Sequence, residues 1–131
     1  MVVVSVLLLG ITVTSSAQAK SSIPTVDGES GPCSVEFTVS DASGAPVYDA
    51  QIHVDVDYGF MGLHHLDLQV ATDKNGKARF TGLPDNTDGA LFFEATTDTL
   101  RGVAVADPNS ECQARHGLYM ARQTSVAKSR D

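Results

Sequence analysis

The chain has 131 residues, room for one ordinary domain and too little for two. Its formal net charge is −7 and its pI is near 4.8, a balance that argues against nucleic acid as a partner. The charge is uneven: fifteen acids face five Lys/Arg up to Cys112, and four Lys/Arg face a single acid from Gln113 onward.

In chain order, Val2 to Val13 is an almost unbroken apolar run, and Ala17-Gln18-Ala19 follows as a small-x-small site. That pattern predicts a signal peptide over residues 1–19, and the run is too short for a membrane-spanning helix. No Lys or Arg precedes it, which points to a start further upstream or to unusual targeting. No later stretch is long and apolar enough to span a bilayer, so the mature chain is expected to be secreted or periplasmic, with no transmembrane segment. Residues 20–32 are Ser, Pro, Gly and acid with little to bury, and read as a flexible leader.

Strands are predicted from there on. Val35/Phe37/Val39, Ile52/Val54/Val56 and Leu66/Leu68/Val70 alternate with polar residues, the signature of strands with one face buried and one wet. Asp41 to Pro46 reads as a turn. Asp73-Lys74-Asn75-Gly76 is a hairpin signal into a fourth strand over Lys77 to Thr81. Ala90 to Thr97 is the most aromatic strand, with Leu91, Phe93 and Ala95 on one face, and Arg101 to Ala106 forms another. The expected core is Phe37, Val39, Ile52, Val54, Leu68, Val70, Phe80 and Phe93. Six or seven short strands without helical periodicity predict an all-β fold, an antiparallel β-sandwich of about seven strands over residues 33–112. Residues 113–131 read as a basic polar tail, and Tyr119 to Arg122 fits either an edge strand or a short helix. Cys33 and Cys112 flank the patterned region. In an exported chain such a pair reads as a disulfide bond, two free thiols being the alternative.

The order Val39-x-Asp41-x-x-Gly44-x-Pro46-Val47, then Ala50, then Thr72-Asp73-x-x-Gly76-x-x-x-Phe80 and Gly82-Leu83-Pro84 resembles the carboxypeptidase regulatory-like domains, which share the transthyretin-like (prealbumin-like) sandwich. The resemblance covers about Val35 to Ala106. It implies a transthyretin-like/Ig-like fold and a non-catalytic module supporting folding, adhesion or ligand binding. The related 5-hydroxyisourate hydrolases carry a His in the first strand and end in Tyr-Arg-Gly-Ser. This chain has neither feature, so the resemblance to them stops at the fold and implies no enzyme activity.

Two groups have the residue types for binding chemistry. His53, Asp55 and Asp57 alternate on one strand and share its solvent-facing side, where imidazole and carboxylates suit a divalent transition metal; a plain polar face gives the same pattern. Met61, His64 and His65 lie in the loop after that strand, and thioether with imidazole suits a Cu or Zn ion as cofactor. The same loop brings Tyr58, Phe60, Met61, His64 and His65 together as a contact surface, unless Phe60 and Leu63 cap one end of the sandwich. The expectation is therefore an exported, non-enzymatic binding module whose partner is a protein, glycan or cell-envelope ligand. The alternative is a small metal-binding protein using Met61, His64, His65, His53 and Asp55.

Overall fold

The computed structural model of the protein describes residues 22–123, with Gly10. The expected signal peptide at 1–19, the first residues of the leader and the part of the tail beyond 123 lie outside the described residues. Nine strands follow in order: β1 (Thr25–Asp27), β2 (Cys33–Ser40), β3 (Gln51–Tyr58), β4 (His64–Ala71), β5 (Lys77–Leu83), β6 (Leu91–Thr96), β7 (Leu100–Ala106), β8 (Gln113–Tyr119) and β9 (Ala121–Arg122). A single 3-10 turn, Phe60–Gly62, joins β3 to β4. The strands form a four-stranded sheet in the order β1-β5-β2-β8 and a five-stranded sheet in the order β4-β3-β6-β7-β9. The two pack face to face as an all-β sandwich.

Alternation decides which side chains meet between the sheets. Val35, Phe37 and Val39 of β2 oppose Ile52, Val54 and Val56 of β3, and all six are buried. At the centre Phe93 of β6 reaches across to the other sheet, its ring 4.8 Å from that of Phe37 and 5.0 Å from that of Phe80. Every residue of the expected core is buried except Val70, which is half-buried. It lies on β4, an edge strand, where no neighbour closes over its outer side.

Three expectations need correction. Residues 20–32 are not a leader throughout. Thr25–Asp27 pairs parallel with Arg79–Thr81 of β5, and Val26 packs against the core. A short strand forms there because β5 has a second edge to satisfy beside β2; the N–H of Arg79 donates to the carbonyl of Pro24 at 2.9 Å. Nor is Gln113 the start of a tail. β8 runs parallel to β2 through seven register pairs from Ser34↔Gln113 to Ser40↔Tyr119. Its inward Ala114 and Leu118 are buried while its outward residues are Gln113, Arg115, Gly117 and Tyr119, so the charges that suggest a tail lie on one face of a strand. Finally, the sandwich is not wholly antiparallel, because β1–β5 and β2–β8 are parallel pairs.

The motif residues behind the family resemblance lock one end of the sandwich. Thr72 is buried, and its hydroxyl accepts from the N–H of Ala50 at 2.9 Å and donates to the carbonyl of Val47 at 2.7 Å. Gly76 adopts φ +74°, and a Cβ there would meet the Val39 carbonyl oxygen at 2.3 Å. That closeness lets the N–H of Val39 donate to the Gly76 carbonyl at 2.7 Å, tying the β4–β5 turn to the end of β2.

Cys33 and Cys112 are disulfide-bonded across a separation of 79 residues. The bond sits where the parallel strands β2 and β8 begin, beside the hydrogen bond from Ser34 N–H to the Cys112 carbonyl. Such a bond is compatible with an oxidising compartment. Among the described residues no helix is long and apolar enough to cross a membrane.

Candidate functional site

The β3–β4 hairpin pairs residues equidistant from Met61: Tyr58 with His64, Asp57 with His65, Asp55 with Asp67 and His53 with Gln69. Because Ile52, Val54 and Val56 must face the core, the intervening residues of both strands face solvent. The outer face of the hairpin therefore collects His53, Asp55, Asp57, His65 and Asp67.

Asp55 and Asp67 stand directly opposite each other, an arrangement of like charges that costs stability in a sheet. Histidines occupy the diagonals. His53 Nε2 hydrogen-bonds Asp67 Oδ1 and lies 3.5 Å from Asp55 Oδ1. Potential ligand atoms of His53, Asp55 and Asp67 all lie within 4.8 Å of one another. His65 Nδ1 is 2.8 Å from Asp57 Oδ1, and its Nε2 is 3.8 Å from Asp55 Oδ1. The hydrogen bond to Asp57 raises the His65 pKa above its ordinary value, burial opposes the rise, and the charges of Asp57, Asp55 and Asp67 add to it. Asp57 thus orients one ring nitrogen and leaves the other directed at the cluster, as an outer carboxylate does for a metal-bound histidine. All five side chains remain open to solvent, the two histidines least.

Beside this cluster runs a groove of about 570 Å³ lined by His53, Asp55, Phe92, Glu94, Arg101 and Val103. Arg101 pairs with Glu94, through Nε at 3.2 Å and through Nη2. Phe92 and Val103 are at least half exposed on this face.

The structure divides the predicted site residues between two places. His53, Asp55 and His65 come together on the sheet. His64 faces the other way and stacks on Tyr58, ring centroids 5.2 Å apart, and the Tyr58 hydroxyl donates to Ser30 Oγ at 3.3 Å. Phe60, Met61 and Leu63 project from the turn, 81%, 79% and 76% exposed, so Phe60 and Leu63 do not cap the sandwich. The turn is held by Gly59 and Gly62 at positive φ and by the hydrogen bond from Gly59 N–H to the Asn86 carbonyl. Asp67 is the residue that the sequence reading missed. The signal for it was pairing by inner faces: once Leu66, Leu68 and Val70 are matched to Ile52, Val54 and Val56, Asp67 must lie across from Asp55.

No family model and no curated protein matches the chain. Among solved structures it is similar in fold to 3-chlorocatechol 1,2-dioxygenase from Rhodococcus opacus 1CP (TM-score 0.50, 14% identity, covering 76% of this chain and 63% of that one). It is likewise similar to catechol 1,2-dioxygenase from Acinetobacter sp. ADP1, solved inhibited by bound mercury (TM-score 0.52, 13% identity, covering 77% and 59%). Hydroxyquinol 1,2-dioxygenase from Pseudomonas putida DLL-E4 also matches, at TM-score 0.49 and 12% identity, covering 79% and 63%. The chain thus spans about three fifths of the length of these proteins. At such identities the likeness is one of fold. The expectation of a non-enzymatic module is corrected to this extent: the sandwich is one that enzymes also have, so the fold does not argue against activity.

Proposed function

We propose that this protein is an exported β-sandwich that binds a divalent transition metal ion on the outer face of its β3–β4 hairpin. The observation that carries the reading is the opposed pair Asp55 and Asp67 with His53 Nε2 against both. Two carboxylates and an imidazole within 4.8 Å of one another are a donor set for Zn²⁺, Cu²⁺ or Mn²⁺. A cation also removes the repulsion that the pairing otherwise imposes. His53, Asp55 and Asp67 would hold the ion, His65 borders it, and the remaining coordination positions are open to solvent. Met61 and His64 have no part in this set. The Cys33–Cys112 bond and the apolar amino-terminal run support export. The Val39–Val47 and Thr72–Pro84 motifs support kinship with the carboxypeptidase regulatory-like domains, whose turn chemistry they reproduce.

The test is titration of metal-stripped, tag-free protein with Zn²⁺, Cu²⁺ and Mn²⁺ by calorimetry. At least one ion should bind at a one-to-one ratio. His53→Ala and Asp67→Asn should each weaken it at least tenfold, while His64→Ala leaves it unchanged. Equal binding by the parent and both site variants would overturn the assignment.

A second reading rests on a separate observation, the three apolar side chains Phe60, Met61 and Leu63 held out at the hairpin tip. Isolated exposed apolar residues are ordinary, but three in one turn form an interface-type patch. Replacing Phe60 and Leu63 by Ser should abolish capture of a protein partner without lowering stability. If a partner is retained at full affinity, the tip is not its contact.

A further inference from the structure

The outer face of the four-stranded sheet carries charge opposite to that of the chain as a whole. Glu36 of β2 is at its centre, its side chain only 14% exposed. Arg79 of β5 donates from Nη2 to Glu36 Oε1 at 2.5 Å, and Lys77 Nζ lies 3.9 Å from Oε2. On the other side Arg115 of β8 is directly opposite Glu36 in the parallel register. One carboxylate is therefore set among three cations. Among the described residues the Arg115 side chain forms neither an ion pair nor a hydrogen bond, and the residue is exposed. A groove of about 370 Å³ opens between Arg79 and Arg115. The acid at the far edge of this sheet, Asp27, is engaged with the N–H of Glu29 at 2.9 Å.

Along β8 the next outward positions are Gly117 and Tyr119. A Cβ built on Gly117 meets nothing within 4 Å, so the glycine leaves a gap in the row of side chains. Tyr119 closes the row beyond it, 58% exposed. Four residues of strand separate Arg115 from Tyr119 by about 13 Å, the scale of two linked sugar rings. The face thus offers a fork of N–H donors at one end, an open floor in the middle and an aromatic ring at the other end.

We propose that this face binds an anionic oligosaccharide, its carboxylate or sulfate on Arg115, with a sugar ring over Gly117 and packed against Tyr119. Arginine presents paired donors that match the two oxygens of a carboxylate. An exposed tyrosine offers an apolar ring for the C–H face of a sugar and a hydroxyl for its oxygens. A bare oxyanion would use the guanidinium groups and ignore both Gly117 and Tyr119, which is why the occupant is taken to be a saccharide. The negative charge of the whole molecule does not forbid it, since at physiological salt charges beyond about 8 Å are largely screened.

Calorimetry and amide NMR with trigalacturonate, maltotriose and inorganic sulfate test this on the intact chain. The parent should bind trigalacturonate, with amide shifts on β8 and β2, and bind maltotriose at least tenfold more weakly. Arg115→Ala should weaken trigalacturonate binding at least tenfold. Gly117→Val is the sharper variant, because the side chain enters open space on a strand that favours it. It should keep the fold and its stability, lose trigalacturonate at least tenfold, and leave the response to sulfate unchanged. No binding of trigalacturonate by the parent at millimolar concentration overturns the proposal. So does unchanged binding in folded Gly117→Val and Tyr119→Ala, which would reduce the site to an anion contact.

Discussion

Asp67 faces Asp55 across the β3–β4 ladder, and like charges so placed destabilise a sheet by up to about 1 kcal/mol. Asp67→Asn removes one of them while keeping the side-chain shape. The metal-free variant should accordingly be at least as stable as the parent in urea unfolding, although its metal uptake falls. A drop in stability of more than about 1 kcal/mol would mean that the bond to His53 outweighs the repulsion. At the opposite extreme of burial, Phe93 is fully enclosed between Phe37 and Phe80. Phe93→Ala should cost about 3–5 kcal/mol by the same measurement. Glu36 gives the residue-scale prediction for pH. The hydrogen bond from Arg79 lowers its pKa below the ordinary 4.5, burial opposes this, and the charges of Arg79, Arg115 and Lys77 add to the lowering. Its contribution is therefore complete above pH 4.5 and disappears as pH falls through the lowered value. Glu36→Gln should be less stable than the parent at neutral pH, and the two unfolding free energies should converge in acid. Parallel curves from pH 7 to pH 2 would show that the ion pair contributes nothing.

Among the elements, the latch formed by Thr72, Ala50, Gly76 and Val39 joins turns that are far apart in sequence. Gly76→Ala meets a carbonyl oxygen and a left-handed backbone at once, and should destabilise by about 2 kcal/mol or more. Thr72→Val keeps the shape but strands the N–H of Ala50 in a buried setting, for a loss of about 1–3 kcal/mol. If either substitution is silent in thermal unfolding, the latch is not holding the end of the sandwich. These turns were readable because turn chemistry is local: Gly, Asp and Thr declare it within a few residues. The inward faces of β2, β3 and β6 were readable for the same reason, since period-two alternation belongs to each strand alone. Pairing is not local. β1 is three residues with one useful side chain, Val26, too brief to show alternation. In β8, His116 and Gly117 interrupt the apolar series between Ala114 and Leu118, so the strand resembled a polar segment. The site suffered from the same limit, because His53 and Asp55 lie on one strand and Asp67 on another, and only register joins them.

For the whole molecule, the disulfide constrains most of the described chain. Closing a loop of that size should stabilise the fold by about 4 kcal/mol in the chain-entropy account. Urea unfolding with and without reductant measures it, and a difference under about 1 kcal/mol would show that the constraint acts on the folded and unfolded states alike. The two outer faces of the sandwich also differ in chemistry. One offers carboxylates and imidazoles, the other guanidinium groups, so salt and metal ions are expected to act on opposite sides of the same core. Substitutions on the two faces should be additive, as distant sites generally are.

The parallel pairing of β8 with β2 bears on when this chain can fold. The first long strand of the sandwich takes one neighbour from the middle of the sequence and the other from near its end. Until Gln113–Tyr119 is made, one edge of β2 is bare, and Cys33 has a thiol to join only once Cys112, just before that strand, has been added. Contacts so distant in sequence make for slow acquisition of structure, since the loop must close before the contacts can form. A chain made from its amino terminus therefore stays incomplete until its last long strand is in place.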